Sequence, residues 1–149
     1  MNRNVIVTGS GQGIGYAIAQ AFDQQGDRVF IFDMSKDAAE AAAQSLEKGV
    51  AYQVDVTDET TVKNAIKDVT NQYGAIDVLV NNAGIQYISK IEDFPLDKWN
   101  QVIGVIQTGT FLMTKHVLPS MKQQQQGRII TISSAHGEMA CLLYTSPSP

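Results

Sequence analysis

Four glycines in a short span form the stretch of the sequence best suited to bind a charged ligand. Residues 8–15 read TGSGQGIG, with glycine at positions 9, 11, 13 and 15, where a short apolar run gives way to a helix-like pattern. Backbone N–H groups at the start of a helix can face a pyrophosphate, and glycine allows the backbone to approach it closely. The alternative is a tight turn, which needs only one or two glycines. The number of glycines therefore favours a phosphate-binding loop.

An aspartate stands where a second recognition group for a dinucleotide would be needed. Asp33 closes the next apolar run, about 20 residues beyond the loop. A carboxylate there can accept hydrogen bonds from an adenosine ribose and would repel a 2′-phosphate, which favours NAD over NADP. The alternative is that Asp33 only caps a helix that starts near Ser35, and the two roles are compatible.

Five short apolar runs, separated by longer segments with helical periodicity, must position these groups. The predicted strands are residues 4–7, 28–32, 50–54, 76–80 and 128–132. Two predicted helices have apolar faces, the first made by Ile14, Ile18, Ala21 and Phe22 and a later one by Val62, Ala65, Ile66 and Val69. Asp58 is the predicted cap of the later helix.

Apolar strands joined by helices predict a doubly wound α/β fold with a parallel sheet buried on both faces. A switch point after the first strand predicts the strand order 3-2-1-4-5. The fifth strand would then lie at an edge of the sheet unless further chain covers it.

Composition excludes several other classes of protein. The 149 residues are 44% hydrophobic and 17% charged, as in an ordinary one-domain globular protein. A formal charge of -4 without basic clusters argues against nucleic-acid and membrane binding. A single cysteine, Cys141, cannot form an internal disulfide or a thiolate metal cluster, so we expect no metal and a cytoplasmic location.

Four motifs in order resemble the short-chain dehydrogenase/reductase family from Asn4 to about Ala140. They are the loop, which fits TGxxxGxG, Asp33, the pair Asp55-Val56, and the run Asn81-Asn82-Ala83-Gly84. The resemblance implies a Rossmann-like NAD-binding domain in residues 1–140 and a homotetramer at full length. It also implies that the following residues contact the cofactor: Gly9, Ser10, Gln12, Gly13, Ile14, Gly15, Asp33, Asp55, Val56, Asn82, Ala83 and Gly84.

Residues 127–137, GRIITISSAHG, resemble the family's fifth strand and its catalytic serine loop, and Ser134 occupies the serine position. Such a serine donates a hydrogen bond to the substrate oxygen and stabilises developing charge. Gln86, the run IEDFP at 91–95 and the sequence Ser134-Ala135-His136 are similar to 3-hydroxybutyrate dehydrogenases. That similarity implies that Gln86, Ser134 and His136 hydrogen-bond a small substrate. The alternatives are an ordinary loop amide and an ordinary loop histidine.

Two family features are missing from the sequence. The general acid/base tyrosine, expected thirteen residues after Ser134, falls on Pro147, and Tyr144 stands too close and has no lysine after it. Ile106 aligns with an asparagine that usually takes part in a proton relay. As it stands, the 149-residue chain is therefore expected to be inactive.

The end of the chain, CLLYTSPSP at 141–149, does not resemble the family. One reading frame of a common transposon-end sequencing adapter encodes these residues, so we interpret them as a non-native tail. The alternative is a natural truncation or a divergent terminus. For the full-length form, the leading hypothesis is an NAD-dependent 3-hydroxybutyrate dehydrogenase. The alternatives are another short-chain enzyme, of the glucose 1-dehydrogenase or 3-oxoacyl reductase type, and a non-catalytic NAD-binding module.

The hypothesis for the tail can be tested at the level of DNA. Re-sequencing the source DNA across the codon for Ala140, with a primer placed well downstream, should give a reading frame that continues into a Tyr-x-x-x-Lys segment. If the codons for CLLYTSPSP are found again, the adapter hypothesis is wrong and the NAD-binding module becomes the leading hypothesis.

Overall fold

The computed structural model describes residues 2–134 and has one parallel sheet with helices on both faces. The five strands are β1 (Asn4–Thr8), β2 (Arg28–Asp33), β3 (Gly49–Gln53), β4 (Val78–Asn81) and β5 (Arg128–Thr131). The α-helices are α1 (Gly13–Asp23), α2 (Lys36–Gln44), α3 (Glu59–Tyr73), α4 (Leu96–Ile103) and α5 (Gly109–Gln123). A 3₁₀ turn, Ile91–Asp93, precedes α4, and a π-helical turn, Gly104–Thr108, joins α4 to α5.

The sheet has the predicted strand order, β3-β2-β1-β4-β5, and every pairing is parallel. Each predicted strand is present, with its bounds moved by one or two residues. Val7 pairs with Val80 and Asn81 pairs with Thr131, so β1, β4 and β5 end at the same edge. The loops that follow these strands therefore lie side by side.

Successive side chains along β1 point to opposite faces of the sheet and pack into two separate hydrophobic cores. Val5 and Val7 pack on the side of α1 and α2, whereas Ile6 packs on the side of α3 and α5. All three side chains are fully buried. Because both faces are covered, the central strands are apolar throughout, as the sequence pattern indicated.

The predicted face of α3 is confirmed, but that of α1 is wrong in part. Val62, Ala65, Ile66 and Val69 are buried, and the Asp58 side chain caps α3 by accepting the N–H groups of Thr60 and Thr61. In α1 the buried residues are Gly15 and Ala19, while Ile14 and Ala21 are exposed and Ile18 and Phe22 are half-buried. Gly15 faces inward because this helix starts directly against the glycine loop, where a Cβ atom would collide with Gly9 and Asn82.

At one edge of the sheet, β5 remains largely exposed. Ile129, Ile130 and Ile132 each keep about two fifths of their surface accessible within the described part of the chain. Across residues 2–134, no helix combines the length and hydropathy that a membrane span requires.

An ion pair between a half-buried arginine and a buried aspartate joins the start of β1 to the start of β2. The carboxylate of Asp27 is fully buried and accepts hydrogen bonds from the backbone N–H and the guanidinium of Arg3. Burial alone would raise the pKa of Asp27, but the hydrogen bonds from Arg3 and its charge lower it below its ordinary value. The ionised carboxylate is therefore the form that the fold stabilises.

Arg3→Ala should lower the free energy of unfolding of the full-length protein by about 3 kcal/mol, because it leaves a buried carboxylate unpaired. Since the pKa of Asp27 is lowered on folding, the pair stabilises the fold above about pH 4 and loses this effect as the pH falls through the folded-state pKa. Urea unfolding at pH 7 and at acid pH measures both effects. As a control, Lys36→Ala breaks an exposed pair with Glu40 and should cost about 0.5 kcal/mol or less.

Candidate functional site

Hydrogen bonds join the glycine loop to the end of β4. The hydroxyl oxygen of Thr8 accepts the backbone N–H groups of Asn82 and Ala83, each at 3.0 Å. In return, the Asn82 side-chain amide donates to the backbone carbonyls of Thr8, at 3.0 Å, and Gly9, at 3.1 Å. These bonds fix the loop against the end of β4, which Asn82 and Gly84 directly follow.

This junction gives Asn82 a role that the motif alone did not indicate. The sequence analysis placed Asn82 among the cofactor contacts, and the structure shows that both hydrogens of its amide can be used by the loop backbone. Thr8 was not identified as a site residue from the sequence. Its signals in the sequence were its place as the threonine of the TGxxxGxG pattern and a hydroxyl directly after a run of apolar residues.

Two glycines of the loop are required by close packing. A Cβ atom at Gly15 would collide with the carbonyl oxygen of Gly9 and with the side-chain amide of Asn82. A Cβ atom at Gly9 would lie 2.9 Å from the Cα atom of Ala83, and Gly9 has a φ of 60°. The interpretation as a simple tight turn does not account for Gly15, which is helical and yet has no space for a side chain.

No side chain caps the backbone N–H groups at the start of α1, as a bound anion would require. Gln12, its N-cap, makes no side-chain capping bond and its first turn has no acidic residue, whereas Ser35 and Asp58 cap α2 and α3. Gly13 has a φ of 61° and faces open space, and Ile14 is 71% exposed. The N–H groups of this turn are thus available to a phosphate, and the loop fits the pyrophosphate of a dinucleotide.

Ser10 faces the interior of the protein. It is fully buried, and its hydroxyl donates to the carbonyl of Val7 at 2.7 Å. Its side chain therefore stabilises the glycine loop from the side that faces the protein interior.

Asp33 is held next to the glycine loop by two backbone N–H groups. Its Oδ2 accepts the N–H of Gly11 at 2.9 Å, and its Oδ1 accepts the N–H of Ser35 at 3.0 Å. The cap of α2 is Ser35, whose hydroxyl accepts the N–H of Ala38, so the capping alternative does not describe Asp33. A carboxylate oxygen has two acceptor positions, so Asp33 keeps the capacity to accept ribose hydroxyls.

Asp55 and Val56 follow β3 at the same edge of the sheet. The Oδ1 atom of Asp55 accepts the backbone N–H of Thr57 at 2.9 Å and its hydroxyl at 2.7 Å, which is the geometry of an aspartate-stabilised turn. Val56 is 8% exposed, and a Cβ atom at Gly109 would meet its side chain. This turn is therefore positioned against the start of α5.

A cavity of about 730 Å³ opens beside the glycine loop and contains two of the predicted substrate residues. Gln86 and Ser134 line it together with Ile14 and Gly84, so the structure brings these four residues to one space. The rest of its lining is mainly apolar. His136, the third predicted substrate residue, lies outside the described residues, as do positions 144 and 147.

Ile106 lies in the π-helical turn between α4 and α5. It lines this cavity and a second one of about 380 Å³, which also contacts Asn81, Thr131 and Ser134. Ile106 is 43% exposed, and its side chain cannot form a hydrogen bond. At the position where the resemblance places a relay asparagine, the chain therefore presents an apolar surface.

Comparison with known proteins agrees with this geometry. The family model for short chain dehydrogenase matches residues 3–146, a range that extends past Ala140. The chain is 46% identical over 136 residues to the uncharacterized oxidoreductase YxjF of Bacillus subtilis (strain 168), covering 89% of this chain and 53% of that protein. It is 36% identical over 142 residues to a D-beta-hydroxybutyrate dehydrogenase of Cupriavidus necator, covering 93% of this chain and 55% of that protein.

Other relatives are as similar as the hydroxybutyrate enzyme. A 5-keto-D-gluconate 5-reductase of Escherichia coli (strain K12) is 36% identical over 141 residues, covering 92% of this chain and 56% of the reductase. A crystal structure of a short-chain dehydrogenase from Streptomyces avermitilis has a TM-score of 0.88 and 29% identity, covering 94% of this chain and 52% of that one. The chain belongs to the short-chain dehydrogenase family, as predicted, and spans about half the length of the curated relatives that it matches.

Thr8→Val should destabilise the full-length protein by about 1–3 kcal/mol while keeping the shape of the side chain, because the N–H groups of Asn82 and Ala83 lose their acceptor. Hydrogen exchange of these two amides should accelerate. Thr8→Ser keeps the oxygen atom and should leave the exchange near the wild-type rate. Equal protection in the valine and serine variants would show that the junction does not depend on this hydroxyl.

Proposed function

We propose that the full-length protein is an NAD-dependent oxidoreductase acting on the CH–OH group of a small hydroxy acid, most simply converting 3-hydroxybutyrate to acetoacetate. One observation carries this proposal. Gln86 and Ser134 line the same cavity as Gly84 and the exposed Ile14 of the glycine loop. A substrate held by these two polar side chains would lie beside the end of the loop that receives the dinucleotide.

The choice of NAD rests on Asp33. Its carboxylate is fixed by the N–H groups of Gly11 and Ser35, so it cannot turn away from an adenosine ribose without breaking both bonds. A 2′-phosphate placed there would meet a negative charge at close range. No arginine follows Asp33 within the next few residues to offset that charge; the nearest cation along the chain is Lys36, whose amine lies 3.6 Å from Glu40.

At the reacting carbon, the bound nicotinamide would supply the hydride chemistry. Ser134 would donate its hydroxyl hydrogen to the substrate oxygen and hold it in place. The side-chain amide of Gln86 would donate to the substrate carboxylate, and the resemblance assigns His136 to the substrate as well. The resemblance assigns proton transfer to a tyrosine that this chain does not contain at the expected position.

The lining of the cavity favours a hydroxy acid over a polyol, although relatives of both kinds match equally well. Sugar-like substrates present many hydroxyl groups, and each one left unpaired in an apolar site costs binding free energy. The described lining provides the polar side chains of Gln86 and Ser134, and the rings of Tyr87 and Trp99, beside Ile85, Ile88, Val102, Ile103 and Ile106. A mainly apolar lining with few hydrogen-bonding groups suits a substrate with one carbinol and one carboxylate.

Gln86→Ala in the full-length enzyme should lower kcat/KM for 3-hydroxybutyrate by about tenfold or more, because a hydrogen bond to a charged group contributes about 1.5–3 kcal/mol. Steady-state NADH formation measures this change. Oxidation of a simple secondary alcohol without a carboxylate should change little. Gln72→Ala, an exposed glutamine of α3 that bonds Asp68, is the matched control. If hydroxybutyrate turnover survives unchanged in Gln86→Ala, the substrate assignment is wrong.

Asp33→Asn should shift the cofactor preference towards NADP. The asparagine oxygen can still accept one loop N–H, but the negative charge that opposes a 2′-phosphate is gone. We expect the ratio of kcat/KM for NAD to that for NADP to fall by about tenfold, which corresponds to about 1.4 kcal/mol. Asp37→Asn, which removes a charge from the first turn of α2, should leave the ratio near its wild-type value. An equal ratio in both variants would refute the role of Asp33.

A further inference from the structure

Three aromatic side chains form a continuous wall on one side of the cavity. The rings of Tyr87 and Phe94 lie 5.4 Å apart at 65°, and those of Phe94 and Trp99 lie 6.1 Å apart at 83°, both edge-to-face arrangements. All three residues line the cavity, and we call them the aromatic wall. Phe94 is half-buried between its neighbours, so the wall is held together by its own packing.

The aromatic wall exposes apolar surface at the functional site. Tyr87 is 41% exposed and Trp99 is 49% exposed, and Ile88 and Ile106 beside them are 60% and 43% exposed. Contiguous exposed apolar surface of this kind is typical of a binding site. The same cavity contains Ser134, Gly84 and Ile14. A substrate whose carbinol carbon lies beside Ser134 could therefore extend along the wall without leaving the cavity.

The size of the cavity exceeds the needs of a four-carbon acid. Its volume of about 730 Å³ lies in the range that holds drug-sized ligands, and the part beside Ile14 and Gly84 would be shared with the cofactor. Gln86 and Ser134 would engage the carboxylate and the carbinol of the substrate, which leaves the wall without an assigned contact. A hydrocarbon chain extending from the carbinol carbon is the occupant that needs no additional polar partner.

We propose that the aromatic wall binds the hydrocarbon chain of the substrate, so that the full-length enzyme prefers 3-hydroxy acids longer than 3-hydroxybutyrate. This inference rests on the proposed function and names its substrate class. Trp99 and Tyr87 are then the residues that determine chain length. Burial of one methylene group against such a wall corresponds to about a fourfold gain in kcat/KM.

The test is a series of substrates with increasing chain length: 3-hydroxybutyrate, 3-hydroxyhexanoate and 3-hydroxyoctanoate. In the full-length enzyme, kcat/KM should rise about fourfold per methylene until the wall is filled. Trp99→Ala should remove most of this increase, so that kcat/KM no longer rises along the series. The control is Leu96→Ala, on the same helix, where a 72% exposed side chain does not line the cavity. It should keep the increase.

A binding measurement separates this inference from the proposed function. Octanoate has the chain and the carboxylate but no hydroxyl, so its binding does not depend on turnover. It should change the tryptophan fluorescence of the full-length protein, and Trp99→Phe should abolish the change.

Each result has a distinct meaning. Octanoate binding at Trp99 without oxidation of any hydroxy acid would support the wall and refute the proposed function. Oxidation of 3-hydroxybutyrate with a flat or falling chain-length series, and no octanoate signal from Trp99, would overturn the wall and leave the proposed function intact.

Discussion

The site depends on the hydrogen-bonded junction between the end of β1 and the end of β4. Thr8 accepts two N–H groups from the β4 side, and Asn82 returns two bonds to the loop carbonyls. These bonds satisfy backbone groups at strand ends that the sheet itself cannot pair. They also fix the distance between the glycine loop and Gly84, and hence the mouth of the cavity that contains Gln86 and Ser134.

The junction divides the site into a polar and an apolar half. On one side, the uncapped start of α1 and the fixed carboxylate of Asp33 present groups suited to a charged dinucleotide. On the other side, the aromatic wall presents rings and few hydrogen-bonding groups. This division would suit two ligands bound side by side, a charged one in the polar half and one with a hydrocarbon chain in the apolar half.

Much of the fold could be predicted because it depends on local sequence patterns. Uniformly apolar strands indicated a parallel sheet, and the position of the glycine loop indicated the switch point, so the strand order was correct. Asp58 was identified as a cap because capping involves only its own helix. The inward face of α1 was misjudged. Periodicity is read from hydrophobic side chains, whereas the approach of this helix to Gly9 and Asn82 requires a glycine at position 15.

By itself, the sequence determined the family and the fold, because motifs and periodicity are properties of neighbouring residues, and it predicted which residues contact a cofactor. Tertiary structure decided the contacts between distant segments. It assigned the Asn82 amide to the loop, turned Ser10 inward and placed Ser35, not Asp33, at the cap of α2. It also assembled Tyr87, Phe94 and Trp99 into one wall, since ring packing depends on how the segment after β4 folds back against α4.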